Sequence, residues 1–347
     1  MRNFSCPNCG QQLSFENSLC LSCSSSLGFD LPGRRLVVIA APDPVDSGEP
    51  EQGHLCANMH IARCNWLVEQ EGDLCTSCHL TQTRPADDDA EALPLFAEAE
   101  TAKRRLILEL TELGLPIVSK NDDPDNGLIF ELLSSERRQV LTGHANGVIT
   151  LDLEEGDDVH REQLRVSMGE PYRTLLGHFR HEVGHYYYNL LIIQPERRQA
   201  FVDLFGDPDA DYQQALDRYY QLGAPEGWHE CYVSAYATMH AAEDWAETFA
   251  HYLHIRDTLD TAAAYGFAAP DAAFGHSAET PGFDRLIALW LPVSWALNQL
   301  NRSMGHADLY PFVLPTAVLE KMRFIHQTIA GFDVQSCSVG YIAPTLP

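Results

Sequence analysis

The chain has 347 residues, 45% of them hydrophobic and 21% charged, with 49 Asp+Glu against 23 Lys+Arg and a formal net charge of -26. That much apolar material builds two or three domains and excludes a disordered chain. The scarcity of Lys and Arg argues against nucleic acid and anionic membrane surfaces as partners, because phosphate contacts need clustered cations.

Eight of the ten cysteines lie between Cys6 and Cys78. The stretch Met1 to Cys20 has no apolar run of the signal-peptide kind, and no segment approaches the roughly 18 to 20 apolar residues of a spanning helix. A cytoplasmic protein is therefore expected, in which thiols stay reduced and clustered cysteines bind metal. Cys6 and Cys9, then Cys20 and Cys23, form two C-x-x-C knuckles. Four thiolates at about 2.3 Å from one ion make a closed, tetrahedral, structural zinc site. A redox C-x-x-C would instead be a single motif opening a helix after a strand. The second cluster, Cys56, Cys64, Cys75 and Cys78, has one good knuckle and one long arm, with His54, His60 and His79 nearby as substitutes. Between the clusters, Arg34 to Ala41 reads as a strand and Pro42 to Gly53 as a loop. Gln82 to Pro94, with three consecutive aspartates, reads as a hinge. The expected division is a zinc-ribbon region over 1–85, an acidic linker over 86–94 and a second domain over 95–347.

From Leu95 the spacing predicts a helix whose apolar face is Phe96, Ala99, Ala102, Leu106, Leu110 and Leu113, ended by Gly114 and Pro116. Strands are predicted over 128–133 and 148–153, with a turn over 143–147 between them. The later strand is a candidate edge for an extended peptide to join by main-chain hydrogen bonds. Beyond Pro171 helices dominate to about His254 and recur over 283–300 and 316–329, with a loop over 266–282. The expected class is α+β: zinc-ribbon modules followed by a mostly helical domain with a small sheet.

The segment His181-Glu182-Val183-Gly184-His185 carries the chemistry. Histidines four apart on a helix share one face and can share one metal, while Glu182 reaches a water as general base. Leu175, Phe179, Val183, Tyr186 and Leu190 supply the helix's apolar stripe. A metzincin arrangement would need Gly and His where Tyr188 and Leu191 stand, which excludes it. The third ligand must come from elsewhere. Tyr236, His240, Glu243, Glu247, His251 and His254 recur at helical spacing in a stretch without Lys or Arg, as one face turned to a metal would. Glu243 is taken as the third ligand and Glu247 as the carboxylate that orients a ligating histidine. The same pattern accommodates the two glutamates in exchanged roles, or His251 as ligand. Tyr236 is the candidate oxyanion donor, with His240 and His178 as further donors or supports for the ligands.

These motifs, together with Cys64-Asn65-Trp66-Leu67, Thr142-Gly143-His144, the run from Tyr172 to His178, Glu243-Asp244-Trp245-Ala246-Glu247 and Tyr310-Pro311-Phe312, give the chain its likeness to a known group. It resembles bacterial zinc-ribbon metallopeptidases with a gluzincin-like HExxH domain, over nearly its full length. Ala241-Ala242 departs from the Pro-Trp that this group tends to carry there. The resemblance implies a zinc-dependent hydrolase. The expected cofactors are one catalytic and two structural Zn²⁺, and the expected partner is a peptide or protein substrate, with the ribbons free to dock another protein. A non-peptide amide as substrate, or an adaptor without turnover, are the competing readings.

Overall fold

The computed structural model describes residues 3–40, 53–135, 139–168, 172–273 and 282–332. The expected loop over 42–53 falls almost wholly outside these residues, as does the stretch 274–281 of the expected loop over 266–282.

The N-terminal region is built from three short antiparallel pairs: β1 (Phe4–Ser5) with β2 (Gln12–Leu13), β3 (Ser26–Asp30) with β4 (Arg35–Ala40), and β5 (His54–Leu55) with β6 (Leu67–Val68). A single turn of helix, α1 (Thr76–His79), carries the last knuckle. Asn65 joins the pieces by donating to the carbonyls of Phe15 at 2.6 Å and Asn17 at 3.2 Å. Phe29 packs between Phe4, Phe15 and Trp66.

The segment after α1 is not a free hinge. Strand β7 (Thr81–Thr83) joins the body's sheet, and α2 (Ala92–Glu112) begins three residues earlier than expected, with Ala92 already buried. Only about eight residues of turn separate them, and a residue that buries its side chain at a helix start cannot serve as solvated linker. Phe96, Ala99, Ala102, Leu106 and Leu110 are buried as the period requires.

The four-stranded sheet runs β7, β8 (Ile129–Leu133), β10 (Val148–Asp152), β9 (Gly143–Ala145), parallel in its first two pairings and antiparallel in the last. Strand β10 is therefore interior, and the edge on its side of the sheet is β9. The sequence hides this because β9 is only three residues long and runs straight into a two-residue hairpin turn. Asn146 and Gly147 take φ of 50° and 78°, the left-handed pair that such a turn demands.

The remaining helices are α3 (Asp158–Met168), α4 (Leu175–Leu191), α5 (Pro195–Phe205), α6 (Tyr212–Leu222), α7 (Ala241–Ala264), α8 (Phe283–Ser303) and α9 (Thr316–Ala330). Helices α4 and α7 pack most intimately. A Cβ on Gly184 would lie 3.0 Å from the Cα of Ala246, and Trp245 donates from Nε1 to the Gly184 carbonyl at 2.8 Å. Buried Arg180 ties α4 to α2 through Glu109 at 3.0 Å and to α7 through Asp257 at 2.9 Å. One apolar cluster runs continuously from Phe4 and Trp66 through Phe96, Leu106 and Phe130 to Phe179 and Trp245, and a second joins the far half of α7 to α8 and α9.

Candidate metal centre

Helix α4 is started by Thr174, whose side chain accepts from the Gly177 amide at 3.0 Å, and is held to the core by Leu175, Phe179, Val183 and Tyr186. That orientation leaves His181 and His185 on the flank facing α7, only partly buried.

Helix α7 starts later than the sequence period suggests. His240 has extended backbone and caps it, its Nδ1 accepting from the Ala242 amide at 3.1 Å while Nε2 donates to the carbonyl of Ala210 at 3.1 Å. Both ring nitrogens are occupied away from the centre, so the structure does not bring His240 to the ligands. Tyr236 lies in a separate helical turn, Tyr236–Thr238, rather than on the face of α7. Its ring still reaches the centre, 6.2 Å from that of His181. His178 is half-buried with Nδ1 3.6 Å from a Glu155 oxygen, and desolvation pulls its pKa down to about 4, with Glu155 opposing. His251 turns to the hydroxyl of Tyr310 at 2.9 Å.

His181, His185 and Glu243 converge, with one donor atom from each within 4.8 Å of the others. The separations are 3.2 Å between the two Nε2 atoms, 3.1 Å from His181 Nε2 to Glu243 Oε2 and 3.5 Å from His185 Nε2 to Glu243 Oε1. Bonds of about 2.0–2.1 Å to a tetrahedral zinc put neighbouring donors roughly 3.3 Å apart. His181 Nε2 therefore stands at such a spacing from both His185 Nε2 and Glu243 Oε2, while Glu243 approaches His185 through its other oxygen, Oε1; two imidazoles with a carboxylate are chemically suited to zinc.

Glu247 meets the other side of His181, its Oε1 2.7 Å from Nδ1, while its Oε2 accepts from the Ser234 hydroxyl at 2.6 Å. Burial works against ionising Glu247, yet the hydrogen bond and charge of His181 pull it down to about 2. Glu243 is likewise opposed by burial and carried well below the usual carboxylate range by His181 and His185. Burial alone would lower the pKa of His181, but Glu243 and Glu247 outweigh it and raise it. Two ionised carboxylates thus create a place that favours positive charge. Glu182 is 7% exposed, and among the described residues no hydrogen bond engages its carboxyl. Burial lifts its pKa, with His181 and His185 opposing. Burial and the nearby Glu243 charge keep Tyr236 protonated.

The two cysteine clusters are equally compact. Sulfur separations of 3.7 Å (Cys6–Cys23), 3.6 Å (Cys9–Cys20) and 3.6 Å (Cys64–Cys75) approach the roughly 3.8 Å edge of a tetrahedral four-sulfur zinc shell. Cys56 and Cys78 complete the second cluster, and His54, His60 and His79 are not part of it.

Three residues near the centre went unassigned in the sequence. Tyr212 on α6 donates to Glu243 Oε1 at 2.9 Å, and Ser234 orients Glu247. His144 on β9 stacks on His185, with ring centroids 6.4 Å apart and planes at 6°. His144 was legible as part of Thr142-Gly143-His144, though without a role. Tyr212 and Ser234 fall in no periodic or motif pattern.

Residues 92–328 match the family described as "putative zinc-binding metallo-peptidase", and residues 3–89 match a zinc-ribbon domain. Proteins of Mycobacterium tuberculosis (strain H37Rv) and Mycobacterium bovis, both carried as uncharacterized proteins, are 63% identical over 333 residues, covering 95% of this chain and 95% of each relative. No solved structure matches the chain.

Proposed function

Since the chain belongs to the "putative zinc-binding metallo-peptidase" family, we propose that it is a zinc-dependent peptidase whose metal is held by His181, His185 and Glu243. The observation that carries this reading is the convergence of one donor atom from each of those three residues within 4.8 Å beside an unpartnered, buried glutamate. Bound there, zinc supplies a Lewis acid that makes water acidic and a carbonyl electrophilic near neutral pH. Glu182 takes the proton of the attacking water and returns it to the leaving amine, a task suited to a carboxyl whose pKa burial has raised. Tyr236 donates its hydroxyl hydrogen to the oxyanion. Glu247 accepts the Nδ1 proton of His181, fixing the tautomer that presents Nε2 to the metal. The edge strand β9, beside His185, offers main-chain groups to an extended peptide.

The Cys6/Cys9/Cys20/Cys23 and Cys56/Cys64/Cys75/Cys78 sets hold structural zinc, since four protein ligands leave no position for substrate. Eight clustered thiols fit the reducing cytoplasm. Among the described residues no helix is long and apolar enough to cross a membrane. A pure adaptor would have no use for Glu182, so turnover is the better reading.

Incubating the metal-loaded protein with a peptide library tests this. Glu182→Gln should abolish cleavage while keeping about three zinc per chain, and Glu243→Ala should leave about two. An unchanged rate in Glu182→Gln would remove the base; loss of zinc only on changing Glu247 would exchange the two carboxylates.

A further inference from the structure

The two oxygens of Glu243 have different surroundings. Oε2 faces Nε2 of His181 at 3.1 Å, whereas Oε1, 3.5 Å from Nε2 of His185, accepts the Tyr212 hydroxyl at 2.9 Å. The direction of that bond is fixed, because an ionised carboxylate only accepts.

Tyr212 is the first residue of α6, just past the capping Asp211, and no residue of that helix is fully buried. A helix without a buried side chain gains little from the core, so its polar attachments matter more. Besides the Tyr212 bond, its attachments include Arg218, which reaches the carbonyls of Thr238 and Met239 at 3.4 Å, and ring contacts of Tyr212 with His240 and of Tyr219 with Tyr236. The hydroxyl that meets Glu243 therefore comes from an element whose position that same bond helps set.

We propose that Tyr212 is a positioning residue that reserves one oxygen of Glu243, so that the glutamate engages the metal through the other alone. A carboxylate with both oxygens free can bind zinc through both. A hydroxyl donating to one oxygen takes one of its two lone-pair sites and draws off electron density, which weakens that oxygen as a second donor to the metal. The consequence reaches the reaction: a catalytic zinc site needs three protein ligands and a vacant corner, and a second bond from Glu243 would fill that corner. This rests on the metal reading given above.

The test compares wild type with Tyr212→Phe, which removes only the hydroxyl, and Arg218→Ala, which loosens α6 while leaving the hydroxyl in place. In each full-length protein the His/Glu centre is stripped with a mild chelator and reloaded with Co²⁺, the ribbons keeping zinc. Four-coordinate Co²⁺ absorbs visible light more strongly than five-coordinate Co²⁺. Tyr212→Phe should lose visible intensity, and kcat should fall about 10- to 100-fold with KM little changed. Arg218→Ala should keep the wild-type spectrum. Wild-type absorption and kcat in Tyr212→Phe would overturn the inference. Should wild type take up no more Co²⁺ than Glu243→Ala, the metal reading itself falls and this one with it.

Discussion

At the scale of single residues the centre depends on a side chain that is absent. Gly184, inside the histidine motif, lets α4 and α7 approach until its Cβ position is 3.0 Å from Ala246 Cα and 3.3 Å from Ala246 O. In an open helix Gly→Ala would gain about 1 kcal/mol from propensity. Here backbone must shift instead, and overpacking of this kind costs about 1–3 kcal/mol. Gly184→Ala is therefore expected to lower both Tm and turnover, measured by calorimetry and peptide cleavage; a raised Tm with full activity would contradict the close-approach argument. His181, Glu182 and His185 were legible because one helical turn contains all three. Tyr212 and Ser234 were not, because each reaches its carboxylate from a segment of different period. Nothing in the order of residues records that meeting.

Among the elements, the strongest periodic signals gave the correct type and the weakest gave the wrong ends. The 4, 3, 4, 4, 3 spacing running through Tyr236 and His240 to His254 continues across a helix start, since spacing alone is blind to a histidine that caps with its own ring. Glu243 and Glu247 were unaffected, as both lie within α7. The long arm of the second cysteine cluster left its ligand set open, yet all four sulfurs come together and all four residues are buried. The first cluster differs, with Cys9 exposed and Cys23 half-buried. A competing chelator should accordingly take zinc from the first cluster before the second, read by a metal-sensitive dye in Cys9→Ser and Cys75→Ser variants. Loss at either should lower the Tm of the whole chain, because Cys6 and Cys20 as well as Cys56, Cys64, Cys75 and Cys78 belong to the same apolar cluster as Phe96 and Leu106. Release in the opposite order would mean that thiolate exposure does not govern exchange.

For the whole molecule, the α+β class and the order of ribbon before helical body were readable from cysteine spacing and apolar period. The sheet order was not, because β7 and β9 have three residues each and carry no period. Acid stability is also a property of the whole. Burial pulls His251 and His326 down to about 4 and His254 to about 3, with charges of both signs adding smaller effects. The unfolded chain takes up these protons near pH 6.5, so their contribution is complete above that pH and is lost as pH falls towards the folded values. Carboxylate protonation relieves repulsion in a chain of charge -26 over the same range. Comparing wild type with His254→Phe isolates the histidine: the variant's stability should fall less steeply between pH 6.5 and 4, by up to one proton or ~1.4 kcal/mol per pH unit. Equal slopes would mean that His254 ionises within the fold. The continuous apolar cluster has another consequence, for inheritance. The ribbon match ends at residue 89 and the peptidase match begins at 92, a seam at which recombination could splice one module onto another. Yet Trp66 on one side and Phe96 on the other are buried in one core. A ribbon transplanted from elsewhere would bring the cysteines but not the complementary face, so the two modules must be passed on as a matched pair.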